Sequence, residues 1–315
     1  MNAKGRILLM AMAGGLMGLL VWAAVGVSGP VSAAAEDADS PPASSEFVGS
    51  ETCRLCHEKQ YERFATTTMG KLFLKHPRTE KEAQGCESCH GPGKLHAESS
   101  GDSYERLITF SKNDPTPVDR RNSVCLGCHQ KSARLHWQGS VHEARGLACT
   151  VCHRVMDNHS ERYQLAKPTE IETCGQCHIQ RKAQLMRSTH MPLREGKMTC
   201  SSCHNPHGSI SDALLKANSV NDLCYSCHAE KRGPFLWEHP PAMENCANCH
   251  ESHGSNHEAL LITAKPKLCQ KCHLETRHPT QPHDPRTRFV FNRSCTNCHS
   301  TIHGSNHPSG RAYQR

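Results

Sequence analysis

Hydrophobic positions along the chain fall into one long run near the N-terminus and many short ones afterwards. After Lys4 and Arg6 the sequence is apolar from Ile7 to Val27, then offers small residues at Ser32, Ala33, Ala34 and Ala35. This predicts a secretory signal over residues 1–35, ending in an A-x-A type cleavage site. A retained membrane anchor is the alternative, since the run is long enough to span a bilayer; Gly14, Gly15 and the small residues favour cleavage. Residues 36–49, rich in Asp, Ser, Pro and Ala, read as a flexible leader. Beyond them no apolar stretch is long enough for a membrane helix, and the periodic segments are brief. Tyr61, Phe64, Ala65, Met69, Leu72 and Phe73 recur at helical spacing and lead to His76, and Ile179, Ala183, Leu185 and Met186 do the same before His190. Arg277 to Ser294, with its prolines and the Arg288-Phe289-Val290-Phe291 run, predicts a loop with one small strand, and residues 308–315 a loose tail.

Such a pattern offers little core. Mean hydropathy is −0.62, only 5% of residues are aromatic, and 18 Pro and 22 Gly interrupt the chain, so polypeptide alone does not bury enough apolar surface to offset its ordering entropy. What replaces the core is written in the cysteines. All 20 fall in ten C-x-x-C-H motifs: Cys53/Cys56/His57, Cys86/Cys89/His90, Cys125/Cys128/His129, Cys149/Cys152/His153, Cys174/Cys177/His178, Cys200/Cys203/His204, Cys224/Cys227/His228, Cys246/Cys249/His250, Cys269/Cys272/His273 and Cys295/Cys298/His299. In such a motif two thiols bond covalently to one haem and the adjacent imidazole becomes the proximal iron ligand. Zinc knuckles or a disulfide framework would also use paired thiols, but neither needs a His after every second Cys. Ten covalently bound c-type haems are therefore expected. With cleavage after Ala35, 280 residues would carry them, 28 residues per macrocycle.

The motifs repeat in pairs. First cysteines of the odd-numbered motifs step by 72, 49, 50 and 45 residues and those of the even ones by 63, 51, 46 and 49. Five two-haem repeats, starting near 53, 125, 174, 224 and 269, thus make a decahaem region over 50–307, with an insertion in the first copy around Ser99 to Asn122. The expected fold class is a multihaem cytochrome c, mostly irregular with short α-helices and little or no β structure, an elongated haem chain.

Each iron has a second axial place. Between the odd and even motif of each copy stands one lone histidine: His76, His142, His190, His239 and His283. Soon after each even motif stands another: His96, His159, His207, His253 and His303. These ten are the distal candidates. His136, His257, His278 and His307 are in surplus, and His257 falls opposite Ser211 when His207–Leu215 is laid over His253–Leu261. Whether a distal His serves its own haem or a neighbour's is not decided by spacing. The six Met outside the signal (Met69, Met156, Met186, Met191, Met198 and Met243) share no offset from the motifs and read as gap-fillers, so all-bis-His, low-spin, low-potential iron is expected.

The formal charge of +7 does not point to nucleic acid. Without Lys4 and Arg6, 35 basic residues face 30 acidic ones, ten pairs of haem propionates make the loaded protein acidic, and no basic patch is interleaved with stacking aromatics.

Together, the ten motifs, the run Cys86-Glu87-Ser88-Cys89-His90-Gly91-Pro92-Gly93-Lys94-Leu95-His96 and the later C-x-x-C-H-x-x-His-Gly turns make the region from Ser50 to His307 resemble the decahaem cytochromes of the MtrA, PioA and DmsE family. The absence of a long N-terminal region of the PioA kind places it nearer MtrA and DmsE. The resemblance implies an exported, periplasm-facing electron conduit threaded through an outer-membrane β-barrel partner. Periplasmic or inner-membrane cytochromes and an extracellular multihaem cytochrome would be its redox partners. A soluble periplasmic shuttle would use the same chemistry. A multihaem nitrite, hydroxylamine or tetrathionate reductase would need one open iron, often marked by Lys in place of the proximal His, and no motif here ends in Lys.

Overall fold

The computed structural model describes residues 43–274 and 294–314. Among them the architecture is a succession of short helices joined by turns: none exceeds nine residues, no strand forms, and the only ladder pairing is a set of isolated bridges. No helix among them is long and apolar enough to cross a membrane. The loop and strand expected within 277–294, together with His278 and His283, lie outside the described residues, as does the signal segment.

Helix α1 (Ser50–Cys56) carries the first motif, and α2 (Glu58–Thr66) and α3 (Thr68–Lys75) form the first amphipathic segment. The periodic run is one helix in sequence but two in space. Thr67, fully buried, caps α3 by accepting from Gly70 N at 2.9 Å and ties back to Phe64 O at 2.8 Å, turning the chain so that Phe64 and Phe73 both go inside. His76 follows as the α3 C-cap. The corresponding segment in the third copy forms a helix over Ile179–Gln184 that buries Leu185 and leaves Ile179 and Met186 exposed.

Odd and even motifs differ in local structure. An odd motif ends a helix, as at Val118–Leu126, Glu170–Cys174, Val220–Tyr225 and Lys267–Gln270. An even motif starts a single turn, as at Cys149–Cys152, Cys200–Cys203, Cys246–Asn248 and Cys295–Asn297. A side chain one turn upstream of the odd motif clamps the two together. Ser50 Oγ accepts from Cys86 N at 3.1 Å, Asn122 Oδ1 from Cys149 N at 2.9 Å and Asn221 Oδ1 from Cys246 N at 2.7 Å. Each Asn also donates to a carbonyl just before the even motif, Leu147 O at 3.0 Å and Met243 O at 2.9 Å. In the third copy Glu170 does the same work on Ser201 N at 2.7 Å.

Copies meet through the His-Gly turns. A Cβ on Gly208 would stand 1.9 Å from His136 O, one on Gly254 2.3 Å from Gln184 O, and one on Gly304 2.2 Å from the Phe235 ring, so only glycine lets each turn press on the preceding copy. Ser255 N then donates to Ser188 O and Ser305 N to Trp237 O.

Residues 43–49 and 308–314 are more ordered than their composition predicts. Residues 43–49 of the leader are held: Val48 N and Gly49 N donate to the buried Glu87 carboxylate, at 3.0 and 2.8 Å, and Glu46 pairs with Arg106 at 3.1 Å. The expected loose tail is packed instead. Tyr313 takes a left-handed conformation, accepts from Thr301 N through its carbonyl, and donates its hydroxyl to Glu238 O at 2.7 Å, so one aromatic residue ties it down.

Asn122 and Asn221 are buried, and removing their amides leaves a motif N–H without a partner. Asn221→Ala should lower holo-protein stability by about 1–3 kcal/mol, read as a fall in Tm, with Asn221→Asp costing less because Oδ1 is kept.

Candidate functional site

Imidazoles converge in twos. His57 meets His96 with ring centres 6.1 Å apart, His153 meets His207 at 6.0 Å, His204 meets His253 at 6.1 Å, His239 meets His273 at 6.2 Å and His250 meets His303 at 6.2 Å, all with ring planes within 17° of parallel. His142 and His178, at 6.2 Å, and His190 and His228, at 5.9 Å, are crossed at 67° and 68°. A metal–imidazole bond of about 2 Å on each side, plus about 1 Å from nitrogen to ring centre, sets the centres about 6 Å apart. The separation therefore fits one iron between each pair, and every pair joins a proximal candidate to a distal one.

The partners follow a rule. The lone His of one copy meets the odd-motif His of the next copy, as in His142/His178, His190/His228 and His239/His273. The His after an even motif meets the even-motif His of the preceding copy, as in His153/His207, His204/His253 and His250/His303. His57/His96 is the exception, closed within the first copy. Among the described residues His76, His90, His129 and His159 make no ring pair of this kind. His159 lines a cavity of about 490 Å³ with Glu62, Arg63 and Asp157. Of the surplus histidines, His257 and His307 have their own N–H bonded to Ser255 Oγ and Ser305 Oγ in the turn, and no Met enters a described pair.

Nδ1 of each even-motif His is anchored, which aims Nε2 at the metal position. His153 donates to Tyr163 O, His204 to Ala213 O and His250 to Ala259 O, each at 2.8 Å; His90 donates to Ile108 O at 2.7 Å and His299 to Ala312 O. The accepting carbonyls of Tyr163, Ala213 and Ala259 belong to residues with φ of 59°, 54° and 49°. In the first copy the insertion supplies the acceptor, and Asp114 holds Phe110 edge-on to His90 at 5.5 Å. Burial pushes the His207 imidazole down to about 4 and also lowers His253 and His303, keeping these rings neutral as ligation requires.

Thiols meet just as regularly. Within every copy the first cysteines of the two motifs are close enough for their thiols to interact: Cys53/Cys86, Cys125/Cys149, Cys174/Cys200, Cys224/Cys246 and Cys269/Cys295. That interaction raises Cys53, Cys149 and Cys174 far above the usual thiol range and lowers their partners, Cys86 to about 6 and Cys125 to about 7. Between copies, Cys89 lies within electrostatic reach of Cys125 and Cys128, Cys152 of Cys177, Cys203 of Cys224 and Cys227, and Cys249 of Cys272. Burial is the main cause of the raised Cys89 thiol, at about 11. These are the free thiols of the polypeptide; as thioethers the same sulfurs do not titrate.

The two sulfurs of a motif differ in where they stand. Every first cysteine is half-buried, whereas the second cysteine is exposed in all five odd motifs, at Cys56, Cys128, Cys177, Cys227 and Cys272, and in the even motifs at Cys152 and Cys298. The sequence treats the two thiols of a motif alike, but in the odd motifs the fold does not: the first is half-buried and the second faces outward, whereas Cys89, Cys203 and Cys249 of the even motifs are half-buried as well. Cys298 belongs to the tenth motif. Its backbone N–H donates to Cys295 O at 3.3 Å, which closes the final turn, while its sulfur faces out. Leu55 within the first motif, and Ile179 and Leu274 directly after motif histidines, are likewise exposed.

Motif pairs, matched imidazoles and short helices define a multihaem c-type cytochrome. Residues 190–233 and 239–278 match the doubled CXXCH motif family, and residues 86–177 match the cytochrome c-type protein NrfB-like family. The chain is 44% identical over 276 residues to multiheme cytochrome MtrA of Shewanella baltica (strain OS185), a match covering 85% of this chain and 81% of the relative. It belongs to the MtrA family of multihaem cytochromes, carries covalently bound c-type haems, and is an electron-transfer protein rather than an enzyme.

The Asn122, Asn221 and Glu170 clamps and the left-handed acceptors were not anticipated; only the recurrence of Asn three residues before Cys125 and Cys224 hints at the former. A non-glycine residue at positive φ is strained by about 1–2 kcal/mol. Ala213→Gly or Ala259→Gly should therefore keep the carbonyl acceptor and stabilise the holo-protein by about 0.5–1 kcal/mol in thermal unfolding.

Proposed function

We propose that the chain is a ten-haem wire, exported to the periplasm and seated in an outer-membrane β-barrel, that moves electrons between periplasmic or inner-membrane cytochromes and an extracellular multihaem cytochrome. The observation that carries this reading is the order of the cysteines in space. Ten motifs have nine junctions in chain order, and at each of the nine a sulfur lies within electrostatic reach of one in the neighbouring motif. Anchored at those sulfurs, ten haems would follow the chain order.

When bound, each haem supplies an iron that alternates between ferric and ferrous. The chain's own residues do the rest. Each Cys pair fixes a macrocycle, from Cys53/Cys56 through Cys125/Cys128 and Cys224/Cys227 to Cys295/Cys298, the adjacent His is the proximal ligand, and the paired distal His fills the sixth place. The pairing rule extends to the other described candidates: His76 serves the iron of His129 and His159 that of His90, His96 stays with His57, and His283 is the distal candidate that remains. Every iron is then six-coordinate, which suits relay rather than substrate binding. The barrel, the route to the exterior and the location are supported by kinship with the MtrA family.

Intact mass of the holo-protein should show ten haems, and capture from outer membranes should bring down a β-barrel with it; a lone soluble decahaem protein, with no barrel in membrane extracts, would favour the shuttle. His76→Ala should convert one haem in ten to a high-spin ferric signal. Electron paramagnetic resonance should also separate the crossed His142/His178 and His190/His228 irons, as large-g low-spin signals, from the parallel pairs.

A further inference from the structure

The residue directly after the even-motif His is Gly91, Arg154, Asn205, Glu251 or Ser300. Only one of the five is a carboxylate. Glu251 Oε1 accepts from His253 Nδ1 at 3.1 Å and from His253 N at 3.2 Å. Its other oxygen is held from the preceding copy, by Gln184 Nε2 at 3.3 Å and Arg181 Nη1 at 3.9 Å, so the carboxylate is oriented as well as close.

The previous even haem is a built-in control. There Asn205 accepts from His207 N at 3.2 Å but turns its amide to Ala133 O and Gly208 O, and His207 Nδ1 is buried with no hydrogen-bond partner. The two sites otherwise agree: ring separations of 6.0 and 6.1 Å, plane angles of 11° and 13°, and a proximal Nδ1 donated to a left-handed carbonyl at 2.8 Å in both. What differs is the partner of the distal ring.

We infer that Glu251 is a positioning residue that sets the potential of one haem: by accepting from His253 Nδ1 it makes the haem at Cys200/Cys203 harder to reduce than its structural twin at Cys149/Cys152. This rests on the reading that His253 is the distal ligand of the iron whose proximal ligand is His204. A carboxylate on the outer nitrogen raises the electron donation of the ring to the metal and favours the ferric state, whereas His207, with no acceptor, donates less. The step concerned is a one-electron reduction with the electron coming from the adjacent haem, and no bond is made or broken. Arg181 draws part of the carboxylate's charge and limits the effect without reversing it. A low-potential, uphill step of this kind would fall at the sixth of the ten motifs, inside the wire and away from both ends.

The test uses the full holo-protein. Glu251→Gln keeps an acceptor oxygen but removes the charge, and should raise the midpoint of one haem by a factor of about ten in its reduction equilibrium, about 59 mV for one electron, while haem count by mass and the low-spin spectrum stay unchanged. His253→Met is the control for the ligand reading and should convert one haem to thioether coordination, with its absorption band near the red edge, or to high spin. If His253→Met alters one haem but Glu251→Gln moves no midpoint, the inference on Glu251 is wrong and the ligand reading stands. If His253→Met alters none, the ligand reading itself falls. A Glu251→Gln protein that loses a haem or becomes high-spin would show that Glu251 only supports the fold, and would also overturn the inference.

Discussion

Everything in this chain depends on holding two imidazoles with their centres about 6 Å apart when the two come from different parts of the sequence. The described residues bury only eight large or small apolar side chains, among them Phe64, Phe73, Trp137 and Leu185, too few to order so long a polypeptide by themselves. Order is instead delivered at fixed points. In the proposed holo-protein thioethers would tie each motif to a macrocycle, and the paired imidazoles would tie that macrocycle to the neighbouring copy. In the central copies two such ties cross every boundary, one running forward from the lone His and one backward from the His-Gly turn. The stitching that stabilises the fold is thus also the order in which the irons are laid out.

This explains why glycine follows His207, His253 and His303. At these three positions the turn approaches the preceding copy closer than a side chain permits, and the left-handed φ of 115°, 124° and 138° bends the chain back after the His. The second copy turns without glycine, Ser160 following His159, and so does the first. Its second lone histidine, His96, is followed by Ala97 rather than glycine, sits within the helix Lys94–Glu98, and turns inward to His57.

Much of the site was legible in the sequence because its chemistry is local. A C-x-x-C-H run needs no tertiary information, and twenty cysteines in ten such runs leave nothing to assign elsewhere. The period of about fifty residues and the ten lone histidines were legible for the same reason: identical local tasks recur. What composition missed was made by contact at a distance. Polarity marked the tail as loose, but Tyr313 finds Glu238 O; leader residues Val48 and Gly49 find Glu87. The inward turn of Cys125 and Cys224 against the outward one of Cys128 and Cys227 is of the same kind, set by the neighbouring motif and not by the run itself. Helical periodicity ran through Thr67 because a capping hydroxyl and an ordinary interior one look alike in sequence. The left-handed Ala213 and Ala259 carry no glycine to announce them, since what holds them there is an imidazole N–H several residues upstream.

The two haems of one repeat are not equivalent, and the reason is geometric. An odd motif closes a helix, so its His stands at a helix boundary, as His57, His178 and His228 do, and for His178, His228 and His273 the paired ring arrives from upstream. An even motif opens a turn whose chain folds straight back, pairing His153 with Leu165, His204 with Leu215 and His250 with Leu261, and this brings a carbonyl onto the proximal Nδ1. A donated Nδ1 proton makes imidazole a better donor to iron, so the fold places the stronger proximal ligand at every second haem. A repeat that carries two haems would therefore carry two proximal environments, one with Nδ1 donated to a backbone carbonyl and one without, and the proposed bis-His ligation needs no change of ligand type to distinguish them.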